Sequence, residues 1–588
     1  MACAPAAAAV ALASRLLAQQ APPAIPAEPA PPPAAHDRYL VTLGASEVVD
    51  GSNAASSSFQ SGRLILFLTP ASAPWDGIAP AEGPFLGRLQ PVASIPLRGL
   101  APGATVAFEA TDGERFGPPL DELEGRWRVQ AVVDIDFTER GHLGPGNLVS
   151  EIVELDLDRE VVDEIRLVAG TRLEPTAPPE IEGVEWIERR SELLSRHFGR
   201  EFRMRAGVVT PYGYDDLSFP RRFWPTIFVV GGFGANHLAA ADLAGALRAR
   251  EARGAVPQAV WVFLDADTPW GHSGFCDSET NGPVGTALVE EFIPFLEERF
   301  RLVAAPEARL VTGHSSGGWT ALHLLTTYPE TFGRAWASAP DPVDFTAFGR
   351  IDLTQASNLF RGIDGSPVPA ARAPLGPDSD LATMLVEDEY ASERAIDPDG
   401  RSGEQWSAWE AMWSPFDPAR GGPRALCDPA TGALDPRTVE AWSAHDLARR
   451  LEADPARLAP ILARRARILC GTRDTYYLNE AVARLKARLE HALSRLPDAD
   501  AAEAASIELL AGLTHDSAYP VAQMRFHREM RDHLLAEGLA ERVLPQPRST
   551  ATDATKDADR ERLDGLRDGA RPAPTIRDDT PRRRPRPQ

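Results

Sequence analysis

The chain has few cysteines and none of the short patterns that mark a bound metal. Only 4 of its 588 residues are cysteine, and no two of them have the C-x-x-C spacing of a zinc or redox site. The 12 histidines include neither an H-E-x-x-H nor an H-x-H arrangement. The sequence therefore excludes a disulfide scaffold and predicts no metal site.

Two further absences narrow the class of protein. The net charge of -23, from 61 basic and 84 acidic residues, argues against the broad basic surface that nucleic-acid binding requires. Beyond the N-terminal region there is no window of about 18 uncharged apolar residues, so we expect no integral membrane span. The content of 43% hydrophobic and 25% charged residues is that of a globular protein, and the length predicts several domains.

The first 36 residues resemble a signal peptide followed by a spacer. A short Ala/Val/Leu run leads into small residues and then a Pro/Ala-rich stretch. Two features depart from the usual signal peptide: the run has no Lys or Arg before it, and Arg15 interrupts its end. From the run and the small residues after it, we expect export to the periplasm or the extracellular space, the alternative being a cytoplasmic protein.

The hydrophobic rhythm divides the rest of the chain. Short alternating runs between turn residues predict an antiparallel, sandwich-like β domain, to which we assign packing or ligand binding. Strands that then alternate with helices predict an α/β domain with a doubly wound, mostly parallel sheet. The predicted segments are the signal-like region and spacer 1–36, the β domain 37–173, a linker and connecting helix 174–195, the α/β-hydrolase domain 196–544 and a disordered tail 545–588.

Within the α/β domain, residues 341–447 break the strand–helix rhythm. They are rich in Pro, Gly and Asp, contain Trp406, Trp409 and Trp413, and are too long for a simple loop. We interpret them as an insertion over the carboxyl edge of the sheet, forming a lid or substrate wall. The tryptophans fit equally well as the core of that insertion.

A nucleophile motif carries the chemistry. Ser315 lies at the centre of Gly-His-Ser-Ser-Gly, directly after a predicted strand and directly before a predicted helix. This strand–turn–helix context is the one in which G-x-S-x-G forms a tight elbow that exposes the serine hydroxyl. Glycines are needed at Gly313 and Gly317 because a side chain there would clash with the neighbouring strand and helix. The motif predicts a serine nucleophile.

A serine hydroxyl needs a base and an orienting carboxylate, which follow the serine in the order Asp, His in this fold. Asp474 comes just after a predicted strand and a glycine turn, and His515 occupies the equivalent place after the next strand. We prefer these two over the alternatives, which lie in helix-like stretches or directly beside His515; these alternatives are His491, His527, His533 and Asp516.

Two backbone N–H groups should form an oxyanion hole. One is that of Ser316, the residue after the nucleophile. For the other we choose Phe233, which follows the strand 226–230 in a glycine-rich loop. The alternative, a dinucleotide loop, lacks the final glycine of the G-x-G-x-x-G pattern.

With these residues in hand, residues 202–533 resemble the esterase D / enterochelin esterase / antigen 85 group of serine α/β-hydrolases. The blocks that carry the resemblance are Val-Thr-Pro-Tyr-Gly-Tyr at 209–214, Trp-Pro-Thr-Ile-Phe-Val-Val-Gly-Gly-Phe-Gly at 224–234, the segment 290–300, Gly-His-Ser-Ser-Gly-Gly-Trp at 313–319 with Tyr-Pro-Glu-Thr-Phe at 328–332, and Gly-Thr-Arg-Asp-Thr-Tyr-Tyr-Leu at 471–478. The resemblance implies ester hydrolysis, or acyl transfer in some relatives, through an acyl-enzyme on Ser315, with no cofactor. The chain departs from the group in the long separation of Ser315 from Asp474 and in lacking a histidine before the oxyanion glycine.

The sequence thus predicts a serine esterase that acts on a small-molecule or glycan-linked ester. An acyltransferase with the same residues, or a non-catalytic binding protein on the same scaffold, are the alternatives. We expect substrate contacts from residues in loops around the site and next to the motif, namely Gly232, Trp270, His272, His314 and Trp319. Among the cysteines, Cys276 either pairs with Cys427 or is a free thiol, and Cys470 is a buried apolar residue.

Overall fold

The computed structural model describes residues 38–44, 59–72, 78–83, 89–100, 103–109, 112–157, 164–214, 223–376, 379–496 and 506–539. The predicted signal-like segment and the C-terminal tail lie outside these ranges, so both stay predictions. Within these ranges, no helix combines the length and the apolar character needed to cross a membrane.

The N-terminal part is rich in β-structure, as predicted. Its strands are β1 (Arg38–Leu43), β2 (Phe59–Pro70), β3 (Val92–Leu100), β4 (Thr105–Glu109), β5 (Glu114–Phe116), β6 (Gly125–Asp134), β7 (Leu148–Ser150), β8 (Val153–Leu157) and β9 (Glu164–Arg172). They form one sheet in the order β4-β1-β9-β7-β6-β2-β3-β5, and β8 pairs with the other end of β6. The β1–β9 pair is parallel. A continuous mixed sheet therefore replaces the purely antiparallel arrangement that alternation alone predicted.

Strand β2 is buried on both faces. Its leucines pack into the core of the N-terminal domain, whereas Ile65 and Phe67, which point to the opposite face, contact Ala395 and Ile396 of the predicted insertion. The Ser94 hydroxyl of β3 also donates a hydrogen bond of 2.6 Å to the Ala395 carbonyl. The N-terminal domain is therefore packed directly against the α/β part of the chain.

The α/β part contains a second large sheet and three short ribbons. Its strands are β10 (Val184–Arg190), β11 (Arg203–Val209), β12 (Thr226–Val230), β13 (Val260–Leu264), β14 (Asp267–Thr268), β15 (Gly271–His272), β16 (Arg309–His314), β17 (Arg334–Ser338), β18 (Pro369–Gly376), β19 (Ser379–Leu385), β20 (Phe416–Asp417), β21 (Gly422–Pro423), β22 (Ala466–Gly471) and β23 (Ile507–Leu510). The large sheet has the order β10-β11-β13-β12-β16-β17-β22-β23. It is parallel from β13 to β23 and antiparallel at the β10–β11 and β11–β13 pairs.

Helices cover both faces of this sheet. They are α1 (Glu192–Phe198), α2 (Ala239–Glu251), α3 (Val284–Ala287), α4 (Ile293–Phe300), α5 (Ser316–Thr327), α6 (Val386–Ile396), α7 (Gln405–Trp413), α8 (Pro436–Trp442), α9 (Leu447–Ala453), α10 (Pro455–Arg465), α11 (Leu478–Ser494) and α12 (His515–Ala536), with a π-helical turn at Leu288–Phe292 between α3 and α4. Alternation along β12 shows the two faces. Ile227 lies in the core shared with α2 and α12, and Phe228 in the core shared with α4, α5, α10 and α11.

One predicted boundary needs correction, that between the linker segment 174–195 and the α/β domain. Residues 184–190, predicted as part of a linker, form β10, the edge strand of the large sheet. The charged residues of this strand obscured it, because only Ile187 is buried. The large sheet therefore begins before residue 196, and the segment without helix or strand between β9 and β10 is 173–183.

The predicted insertion lies between β17 and β22 and carries the ribbons β18–β19 and β20–β21 and helices α6 to α8. A buried ion pair between Arg394 of α6 and Glu410 of α7, joined by the Tyr390 hydroxyl, holds two of its helices together. These two charged side chains can be buried because each is the partner of the other and both contact the Tyr390 hydroxyl. The insertion is thus a packed unit and not a long loop.

Candidate active site

Ser315 occupies a strained turn between β16 and α5. Its backbone angles, φ 57° and ψ -124°, lie outside the regions that side chains favour. The turn is tight because a Cβ atom on Gly313 would collide with the backbone of Gly317, and a Cβ on Gly317 would lie 2.5 Å from the Gly231 carbonyl oxygen. The glycines predicted to be necessary at this elbow are therefore necessary for steric reasons.

Asp474 and His515 form a buried hydrogen-bonded pair. Asp474 follows β22, and its Oδ1 atom accepts hydrogen bonds from the backbone N–H groups of Tyr476 and Leu478. Its Oδ2 atom lies 2.7 Å from Nδ1 of His515, the first residue of α12. The Thr514 hydroxyl caps that helix. The two carboxylate oxygens thus have different partners: Oδ1 accepts from the backbone of the turn, and Oδ2 accepts from the imidazole.

The surroundings of His515 determine its proton affinity. Burial alone would lower the pKa of His515, but the hydrogen bond and the charge of Asp474 raise it above its ordinary value. Since the carboxylate is an acceptor, Nδ1 carries the shared proton and Nε2 is left as the nitrogen that can accept another. The rings of His314 and Tyr476 flank the imidazole, with centroids 4.4 Å and 5.0 Å away.

A further carboxyl group, Asp341, lies at the nucleophile and was not predicted. The Ser315 hydroxyl is 3.4 Å from its Oδ1 atom, and its Oδ2 atom accepts hydrogen bonds from the Ser316 hydroxyl at 2.8 Å and the Trp409 indole at 3.0 Å. Burial raises the pKa of Asp341, although these hydrogen bonds oppose the effect. Its position just after β17 was the only sequence signal that could have indicated it.

The predicted oxyanion loop lies against the nucleophile. A Cβ atom on Gly232 would lie 3.1 Å from the His314 carbonyl oxygen and 3.3 Å from the Cβ atom of Ser315. A side chain at this position would require these neighbours to move by a few tenths of an ångström, so glycine favours the close approach. Phe233 follows in the same loop, and Ser316 begins helix α5. Both residues thus lie close to Ser315 along the chain or in the neighbouring loop, and the oxyanion hole itself stays a prediction.

Most of these groups line one cavity of about 260 Å³, although Asp474 and Ser316 are not part of its lining. The predicted residues that line it are Ser315, His515, Phe233, Gly232 and His314. The insertion supplies aromatic walls, chiefly Trp406 and Trp409, which also pack into the core of the insertion together with Trp413. The tryptophans are therefore core residues of the insertion, and two of them line the cavity; a lid or substrate-wall role stays a prediction. A larger groove of about 820 Å³, lined in part by Met412 and Trp413 at the end of α7, contains none of the predicted catalytic residues.

Three predicted substrate contacts do not line this cavity, which corrects the expectation for them. Trp319 is buried on α5 and stacks on His323 at 5.0 Å, because its helical position turns it into the core. Trp270 packs beside Arg401 and Gly422 of the insertion. His272 is buried behind the oxyanion loop, where its Nε2 atom lies 3.2 Å from the Gly231 carbonyl oxygen.

The three cysteines in the described part of the chain do not pair. Cys276, Cys427 and Cys470 are free and buried, so the bond considered between Cys276 and Cys427 is not formed. Burial raises the pKa of Cys276 to about 12, and its sulfur lies 3.4 Å from Nδ1 of His445. Cys470 is a core residue of β22, as expected.

Comparison with solved structures gives three remote similarities. A ferulic acid esterase of Anaeromyces mucronatus is 15% identical, with 61% of this chain and 95% of that chain covered and a TM-score of 0.28. An S-formylglutathione hydrolase of Agrobacterium tumefaciens is 16% identical, with 61% of this chain and 96% of that chain covered and a TM-score of 0.30. The enterobactin esterase of Shigella flexneri is 13% identical, with 81% of this chain and 89% of that chain covered and a TM-score of 0.31.

Sequence comparison is more local. A stretch of 76 residues, 12% of this chain, is 32% identical to the uncharacterized protein YbbA of Bacillus subtilis (strain 168) and spans 30% of that protein. Residues 271–462 match the family model described as "Putative esterase". This segment contains the Ser315 elbow and the whole predicted insertion, 341–447, and over it the resemblance to the esterase family that the sequence predicted is confirmed.

Proposed function

We propose that the protein is a carboxylic ester hydrolase of the α/β-hydrolase type, with a doubly wound sheet and an acyl-enzyme formed on Ser315. The observation that carries the proposal is the 2.7 Å Asp474–His515 pair, whose histidine lines the same cavity as Ser315 at its strained elbow. The family match over residues 271–462 supports the same reaction class. A buried acid–imidazole pair near a partly buried serine hydroxyl that lines the same cavity is the arrangement that activates a serine.

In the first half-reaction, Ser315 Oγ attacks the ester carbonyl carbon and His515 Nε2 takes the hydroxyl proton. Asp474 holds the imidazole through Nδ1 and stabilises the positive charge that forms. The carbonyl oxygen gains the negative charge, which the N–H groups of Phe233 and Ser316 stabilise. Return of the proton to the alcohol oxygen releases the alcohol and leaves an acyl group on Ser315.

In the second half-reaction, water takes the place of the alcohol. His515 removes a proton from the water, which attacks the acyl carbon, and collapse of the intermediate releases the acid and restores Ser315. In the absence of substrate the serine hydroxyl faces Asp341 at 3.4 Å. The hydroxyl therefore has to rotate toward His515 when substrate binds, as active-site hydrogen bonds often tighten only in the complex.

The cavity suggests the scale of the substrate. A volume of about 260 Å³ with walls from Trp406, Trp409 and Phe348 accommodates a small acyl or alcohol group with apolar surface. We propose a small-molecule or glycan-linked ester, whose larger part would extend out of the cavity. Export of the enzyme is proposed from the sequence of residues 1–36 alone.

The test is hydrolysis of p-nitrophenyl esters of increasing acyl length by the wild type, by Ser315→Ala and by Ser494→Ala. Ser494 is an exposed serine at the end of α11 and serves as the matched control. We expect activity in the wild type and in Ser494→Ala. Removal of a serine nucleophile costs about 10⁶-fold in kcat, so Ser315→Ala should fall to the background rate.

A fluorophosphonate probe separates the alternatives. Labelling of the wild type but not of Ser315→Ala, with turnover of the ester only when a sugar or thiol acceptor is present to take the acyl group, would favour an acyltransferase. If the wild type neither hydrolyses any ester nor reacts with the probe, the proposed function is wrong and a ligand-binding role on the same scaffold takes its place.

A further inference from the structure

Arg140 of the N-terminal domain reaches into the neighbourhood of the candidate active site. It lies in the connection between β6 and β7 and makes three contacts with the α/β part. Its Cζ atom is 4.3 Å from the centroid of the Phe233 ring. Its Nε atom donates a 2.9 Å hydrogen bond to the Gly403 carbonyl, and its Nη1 atom lies 3.3 Å from Oδ1 of Asp267.

The arginine is enclosed by these partners. Its side chain is 16% exposed and that of Asp267 is 14% exposed, so the ion pair is largely removed from water. Burial raises the pKa of Asp267 to about 6, and the charge of Arg140 opposes the rise. The approach to Gly403 is close, since a Cβ atom there would lie 2.9 Å from Cγ of Arg140, and Gly403 has a φ of 72°. A largely desolvated guanidinium over an aromatic face interacts more strongly than an exposed one.

The contacts fix Phe233 from one side, and the α/β domain fixes its loop from the other. Nε2 of His272 donates to the Gly231 carbonyl at 3.2 Å, and the Ala235 N–H donates to the Gly232 carbonyl at 3.0 Å. Burial lowers the pKa of His272 to about 4, and its Nδ1 atom accepts from the Gly274 N–H, so the neutral ring is held as the Nε2–H form. These bonds hold the loop backbone, whereas Arg140 holds the ring.

We propose that Arg140 is a positioning residue for the oxyanion hole: by clamping the Phe233 ring to Asp267 and Gly403, it fixes the direction of the Phe233 N–H. The N-terminal domain thereby takes part in stabilising the transition state. The inference rests on the proposed function, because it assigns a partner to one of the two N–H donors. Such a donor acts on charge that develops during the reaction, and a misplacement of about 1 Å can cost about 100-fold in rate.

The kinetic test compares Arg140→Ala and Arg140→Lys with Arg126→Ala. Arg126 belongs to the same domain but forms an exposed pair with Glu154, with 68% of its side chain accessible, and is the matched control. We expect Arg140→Ala to lower kcat by about 10- to 100-fold and to change KM by less than about threefold. Arg140→Lys keeps a cation over the ring but loses the two-partner fork, so its kcat should be intermediate.

A transition-state analogue gives a readout that a merely structural role would not change. In a trifluoromethyl ketone, Ser315 Oγ adds to the carbonyl carbon, the π-electron pair moves onto the oxygen and the hydroxyl proton passes to His515. The adduct therefore needs the oxyanion hole, and its Ki should rise in Arg140→Ala by the same factor by which kcat falls. The midpoint of thermal unfolding shows which variants are folded. If Arg140→Ala is not folded, the same comparison of kcat and Ki is made with Arg140→Lys.

A double-mutant cycle with Phe233→Ala identifies the route. That substitution removes the ring but keeps the N–H, so Arg140→Ala should lower kcat by less than about threefold in its background. The inference is overturned if folded Arg140→Ala matches Arg126→Ala in kcat and Ki, if it changes KM alone, or if its effect is the same without the Phe233 ring. An inactive wild type would instead overturn the proposed function.

Discussion

Asp474→Asn is the most informative substitution in the candidate site, because the two carboxylate oxygens have different partners. Oδ1 accepts the backbone N–H groups of Tyr476 and Leu478, at 2.9 Å and 3.3 Å, and only an oxygen can fill that place. The amide NH₂ of an asparagine is then forced toward Nδ1 of His515, where Oδ2 now lies at 2.7 Å. The NH₂ donates to Nδ1, so the proton moves to Nε2, the nitrogen that must accept the serine proton.

The size of the effect follows from this inverted tautomer. The equivalent change in serine proteases lowers kcat by about 10⁴, which corresponds to about 5 kcal/mol in the activation free energy. The turn and helix α11 keep their hydrogen bonds, so the variant should remain folded. We expect the same p-nitrophenyl ester assay to show a loss of about 10⁴ in kcat with little change in thermal unfolding. Asp428→Asn, which alters an exposed turn carboxylate, is the control and should match the wild type.

The pH profile gives a second readout. In the wild type, Asp474 raises the pKa of His515 above 6.5, and only the neutral imidazole accepts a proton, so kcat/KM should fall as the pH drops through that raised value. Without the carboxylate the lowering effect of burial remains, and the acid limb should move to lower pH. An Asp474→Asn enzyme with kcat within tenfold of the wild type and an unchanged acid limb would refute the assignment of Asp474.

Three other predictions concern the elbow, the insertion and the thiols. Gly317→Ala should lower the free energy of unfolding by about 1–3 kcal/mol, because its Cβ would lie 2.5 Å from the Gly231 carbonyl oxygen. The control is Gly245→Ala on α2, which has open space around it and should be neutral or stabilising. Urea unfolding of the two variants makes the comparison. Trp409→Phe should cost about 1–3 kcal/mol in the same assay, since it removes a hydrogen bond to the buried Asp341 carboxyl, and an unchanged midpoint would contradict that role. In the native protein, iodoacetamide should leave all three described cysteines unlabelled, as peptide mass spectrometry would show, because each is buried and the pKa of Cys276 is raised to about 12.

Much of the α/β domain could be predicted because its physics is local. The strands at 226–230 and 260–264 are apolar runs of the length that a doubly covered parallel strand requires, and the structure has strands at these residues. Ser315, Asp474 and His515 follow directly on strand ends. Side chains at such ends meet at one edge of a parallel sheet, so their proximity follows from the order of the elements.

The errors arose where contacts between distant segments decide the structure. Strand β10 looks like a polar linker, since an edge strand can keep charged residues on its outer face. Trp319 adjoins the motif in sequence, but the turn of helix α5 directs it into the core. Asp341 was missed because its hydrogen bond to Trp409 joins residues that are 68 positions apart in the chain. No local sequence pattern predicts such a contact.

The N-terminal sheet covers an apolar patch of the insertion, which limits how far the protein can be shortened. Ile65 and Phe67 cover Ala395 and Ile396, and Ser94 satisfies the Ala395 carbonyl from a buried position. A shortened chain that began at β10, and so kept the whole α/β sheet, would leave this apolar patch and its carbonyl facing water. Expression trials should therefore cut before Arg38, because a chain trimmed to its α/β part would have an exposed apolar surface suited to self-association and would aggregate.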